Sequence, residues 1–85
     1  MIDLKQAYKN MVDGYDKYIE NSCEIVEALN EKCNSDELVQ DIVYQPGDGF
    51  VLVWNDNNST FNISDLMKIS TREELEEYLI KNQIS

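Results

Sequence analysis

Leu4, Tyr8, Met11, Tyr15, Tyr18, Ser22, Ile25 and Leu29 recur every three or four residues, and Ile19, Val26 and Cys33 widen the same apolar stripe. That period is helical. It predicts an amphipathic helix from about Asp3, which can cap it, to about Cys33, with Asn34-Ser35 marking the exit. A straight helix of that length spans about 45 Å, whereas a compact domain of this size has a radius of gyration of about 12 Å. Either the helix breaks at Gly14, which inside a helix costs about 1 kcal/mol relative to alanine, or its apolar face runs past the domain and packs on a second copy. The nearly regular heptad favours the second, so a homodimer through this helix is expected.

The same stretch carries a second stripe. Asp13, Asp16, Glu20, Glu24, Glu27 and Glu31 fall within an arc of roughly 80° and extend over roughly 27 Å if the helix is continuous. Like charges one turn apart repel by a few tenths of a kcal/mol per pair, so the arrangement works against the helix that bears it. Solvated helix faces usually mix signs four residues apart; here Lys9, Lys17 and Lys32 intersperse the acids only partly.

Residues 38 to 64 read as a three-stranded antiparallel meander. Leu38 to Tyr44 alternate, Pro46-Gly47-Asp48-Gly49 supplies a turn, and Phe50 to Trp54 is apolar on both faces, as a central strand requires. Asp56-Asn57-Asn58-Ser59 reads as the second turn and Thr60 to Ser64 as the third strand, followed by a short helical turn within Asp65 to Ile69. Ser70 or Thr71 followed by Glu73 or Glu74 forms a capping box for a final helix of about ten residues through Leu75, Tyr78 and Leu79. The expected fold is one α+β domain over residues 1–85, in the order α-β-β-β-α.

Seventeen acidic against seven basic residues give a net charge of −10, carried by residues 13 to 85 instead of confined to a tail, with the first twelve residues slightly positive. Nucleic acid and anionic membrane are disfavoured as direct partners, and a basic protein surface is the natural complement. The first residues lack the apolar core of a secretion signal and the longest apolar run is Phe50 to Trp54, so a cytoplasmic protein is expected.

Chemistry is sparsely represented. The chain has no histidine, and Cys23 and Cys33, about 15 Å apart on one helix, neither form a disulfide within the chain nor make a zinc site. Asp56, Asn58 and Thr60 begin like a calcium loop, but Phe61 and Met67 occupy the positions that need glycine and glutamate. No general base stands beside a nucleophile, so neither an enzyme nor a cofactor or metal is expected.

These observations favour a small inhibitor that presents a carboxylate stripe to the basic groove of a nucleic-acid-binding protein. Its contact residues would be Asp13, Asp16, Glu20, Glu24, Glu27 and Glu31, with Asp48 and Asp56 at the sheet turns as outlying contacts. In composition and size the chain is similar to the phage-encoded DNA mimics, a class that includes anti-CRISPR proteins and inhibitors of uracil-DNA glycosylase. The similarity is one of class, and no stretch transfers a member's residues. The alternative is a dimeric structural or regulatory module that uses Tyr8, Tyr15, Tyr18, Ile25 and Leu29, with the acidic face only solubilising.

Overall fold

Gly14 adopts extended backbone, φ −143° and ψ 116°, and the first helix ends there. The computed structural model describes residues 3–14 and 18–84. Within them α1 runs from Leu4–Asp13 and α2 from Tyr18–Cys33. The expected single helix is therefore two, and α1 folds back on α2 so that Asp3 and Leu4 come beside Glu27 and Glu31. Folding back buries Leu4, Ala7 and Met11 within the chain. A straight helix of about 45 Å would not fit a molecule whose longest dimension is 32 Å. The surplus length that suggested a second copy is thus taken up inside one chain. Asp3 caps α1 as expected, its carboxylate accepting from the Lys5 and Gln6 amides.

The remaining elements are β1 (Asp41–Gln45), β2 (Gly49–Trp54), β3 (Asn57–Thr60), α3 (Ile63–Lys68), α4 (Arg72–Lys81) and β4 (Gln83–Ile84). Among the described residues the sheet has four strands in the order β1-β2-β3-β4, each pair antiparallel. This differs from the expected three-stranded meander in three places. The second turn is only Asn55-Asp56, both with positive φ (45° and 64°), so β3 begins at Asn57 inside the stretch that reads as a turn. Asn and Asp tolerate the left-handed conformation that a two-residue hairpin loop demands. Ile63 and Ser64, expected in the third strand, instead open α3 behind the Asn62 cap. The strand β4, which returns to pair with β3, completes the sheet.

The core lies between the helices and the sheet face that bears Ile42, Leu52 and Trp54, where they meet Ile25, Leu29, Leu66, Leu75 and Leu79. Buried polar groups are matched. Trp54 Nε1 donates to Ser59 Oγ at 2.7 Å, and Ser59 Oγ donates to the Leu79 carbonyl at 2.5 Å, one of the carbonyls left over at the end of α4. Asn30 pairs with Val39 as a strand would: Nδ2 donates to the Val39 carbonyl at 2.8 Å and the Val39 amide donates to Oδ1 at 3.1 Å. This clamp fixes where the chain leaves α2 for β1. The outer edge of β1 is blunted at Ile42, whose carbonyl accepts from the Tyr18 hydroxyl and whose amide donates to Asp41 Oδ1 at 2.8 Å.

Candidate binding surface

On α2 the carboxylates Glu20, Glu24, Glu27 and Glu31 fall within an arc of roughly 60° over about 16 Å. The buried residues Asn21, Ser22, Ile25, Val26, Leu29 and Cys33 are centred about 160° around the helix, so the ridge points directly away from the core. Glu20, Glu27 and Glu31 are exposed and Glu24 is half-buried. None of them has a cationic partner within ion-pair distance among the described residues. Among the described residues the one ion pair is Arg72–Glu76 at 2.7 Å, on α4.

The other expected contacts separate from this ridge. Asp16 lies outside the described residues. Asp13 is the last residue of α1, a different helix from the ridge, and lines a concavity with Asp3, Lys5 and Lys9, so the six carboxylates do not run along one continuous helix. Asp48 and Asp56 are both exposed, but one sits at the β1–β2 turn and the other at the β2–β3 turn. Successive turns of a meander lie at opposite ends of the sheet, about 20 Å apart along β2, so the two cannot extend the ridge at the same end.

Two acidic contributions join the ridge from other elements. A groove of about 700 Å³ between α1, α2 and α3 is lined by Asp3, Glu24, Glu27 and Glu31 together with Leu4, Ala28, Lys32 and Met67. On the far side of Glu27, a shallower groove of about 400 Å³ brings in Glu37 and Asp41 and contains no lysine or arginine. The acidic surface is therefore a band centred on Glu27, with Asp3 on one flank and Glu37 and Asp41 on the other. Sequence spacing along one helix misses all three flanking residues. They reach the band only because α1 folds back and because the Asn30–Val39 clamp carries the chain across the end of α2. Among the described residues no three acidic or cysteine side chains converge as metal ligands would; the carboxylates are spread out.

Of the residues named for the apolar alternative, the four that are described pack within the chain. Ile25 and Leu29 are completely buried in the core, which removes them from any surface. Tyr8 packs edge-on against Phe50 and Phe61 with ring centroids 6.4 and 5.7 Å apart, and Tyr18 stacks on Phe50 at 5.8 Å. Tyr15 lies outside the described residues. Ile19, expected on the apolar face, is 74% exposed. Cys33 is buried and its thiol pKa is raised, chiefly by that burial, whereas Cys23 is exposed; both are free thiols. No helix among the described residues is long and apolar enough to cross a membrane. No family model matches the chain, and neither the curated proteins nor the solved structures offer a match to it.

Proposed function

We propose that the protein binds a basic protein partner through the carboxylate band centred on Glu27, and that the surface it occupies on that partner is one that otherwise holds DNA or RNA. The observation that carries this reading is the ridge of Glu20, Glu24, Glu27 and Glu31, set opposite the buried face of α2 and without an ion pair among the described residues. A helix gains from pairing such acids with lysine one turn away and loses from leaving them adjacent. The ridge places one charge about every 5 Å along the helix axis, against about 3.4 Å along one strand of a duplex. A groove lined by lysine and arginine to hold phosphates meets a comparable row of charge here. Binding of this kind competes with nucleic acid, and inhibition of the partner follows from occupancy alone, without chemistry.

The test is a tagged pull-down from the cognate cell lysate at low and high salt, comparing the natural sequence with the triple change Glu20→Gln, Glu24→Gln and Glu27→Gln. Screening shortens from about 14 Å at 50 mM to about 6 Å at 300 mM salt, so a charge-led complex is retained at low salt and released at high salt or by added DNA. The expected outcome is a nucleic-acid-binding protein held by the natural sequence and lost from the triple variant. Retention of one salt-resistant protein by both forms would make the band a solvated face.

A further inference from the structure

The groove between α1, α2 and α3 differs from the ridge beside it because its walls are mainly apolar. Leu4 and Ala28 line it from the helices and Met67, 49% exposed, from α3. Asp3, Glu24, Glu27 and Glu31 stand around that floor. The only cation among the lining residues, Lys32, donates from Nζ to the Leu66 carbonyl at 2.5 Å and forms no ion pair with them.

We infer that this groove seats a long cationic side chain, lysine or arginine, from a basic segment of the partner protein. The aliphatic stem lies on Leu4, Ala28 and Met67 while the charged head reaches the surrounding carboxylates. This inference rests on the acidic band being a binding face, and adds which side chain the band takes and how. Lysine and arginine bury their methylene stems along apolar surface and keep the charge at the polar edge, so each half of such a side chain meets its complement here. A volume of about 700 Å³ lies in the range of small-ligand sites and leaves room for flanking backbone. Methionine adapts its shape to an inserted stem, which suits the exposed Met67 to this position.

Titration calorimetry of the full chain at mildly acidic pH, where short blocked homopeptides of lysine, ornithine and diaminobutyrate of equal length all carry their charge, shortens the stem by one methylene at each step. The expected result is a loss of about two- to fourfold in affinity per methylene removed from a seated side chain. Met67→Ser, a change at an exposed position, should abolish that dependence on stem length while binding stays salt-sensitive. Equal affinity for the three peptides, with binding still lost in the Glu20, Glu24 and Glu27 to Gln variant, overturns the groove and leaves the acidic band standing. Peptide binding that the triple variant does not weaken overturns both. Spermidine bound as tightly as the lysine peptide would place a free polyamine in the groove and overturn its assignment to a protein segment.

Discussion

Helices α2 and α4 each carry four glutamates, and the fold treats them differently. In α4, Glu73 and Glu74 lie in the first turn, where the helix dipole favours negative charge, and Lys81 lies in the last. Glu74 closes a capping box with Thr71, and Glu76 pairs with Arg72 one turn away. In α2, Glu20 likewise lies in the first turn and Lys32 in the last, but Glu20, Glu24, Glu27 and Glu31 repeat at like-charge spacing with no ion pair among the described residues, and Glu31 sits toward the unfavourable end of the dipole. One helix is supported by its own sequence. The other depends more on what its opposite face buries.

The largest effect expected from this contrast is at the anchor of α2. Asn30→Ala leaves the amide and carbonyl of the buried Val39 without their partners and removes an acceptor from Ser35 Oγ. Two buried backbone groups left unpaired cost about 2–4 kcal/mol, a large fraction of the stability of a small domain. Urea denaturation followed by tryptophan fluorescence measures it through Trp54. A loss under 1 kcal/mol would mean that α2 is stabilised by its own sequence after all.

How much of this was legible in the sequence follows the same division. The capping box at Thr71 and Glu74, the length of α4 and the Asp3 cap depend on residues within one turn of each other, and local chemistry suffices to read them. The strand pair around Pro46-Gly47-Asp48 was legible for the same reason. What escaped depends on the chain meeting itself. Gly14 admits a break but does not require one; the return of α1 onto α2 is decided by burial of Leu4, Ala7 and Met11. The tight Asn55-Asp56 turn was hidden by a polar run, Asp56 to Ser59, whose last three residues are strand and whose Ser59 is fully buried as the acceptor for Trp54. At the candidate site the four acids of α2 were legible from spacing alone. The placement of Asp13 on a separate helix, the opposite placement of Asp48 and Asp56, and the recruitment of Asp3, Glu37 and Asp41 all follow from tertiary folding.

The next effect in size belongs to α4. Thr71→Ala removes the hydroxyl that accepts from the Glu74 amide at 3.2 Å, at a cost of about 1 kcal/mol. The reciprocal half of the box is sensitive to pH. The Ser70 amide, then the Thr71 hydroxyl, donate to the Glu74 carboxylate and hold its pKa below the ordinary value of 4.5. A carboxyl depressed in the folded state stabilises above its unfolded pKa, and that contribution disappears as pH falls through the folded value. The stability difference between the natural sequence and Glu74→Gln, measured by urea denaturation, should therefore be constant near neutrality and shrink below pH 4.5. A difference that does not change on acidification would remove the carboxylate from the cap.

The smallest effect is the most diagnostic, because its sign is opposite to that of an ordinary substitution. Glu24→Gln with Glu27→Gln relieves all three like-charge neighbours on the ridge, Glu20–Glu24, Glu24–Glu27 and Glu27–Glu31, and no ion pair is lost. At a few tenths of a kcal/mol per pair, the double variant should be more stable than the natural sequence by roughly 0.5 kcal/mol at low salt. Added salt screens the repulsion, so the gap should close as ionic strength rises toward 300 mM. Arg72→Gln on α4 should behave in the opposite way, destabilising slightly at low salt because it breaks an attractive pair. If the double variant is instead the less stable protein, the ridge glutamates support the fold, and α2 would resemble α4 in using its acids internally. If it is more stable yet loses its partner, the natural chain accepts a weaker helix to keep that charge free, which is the pattern expected of a surface selected for binding.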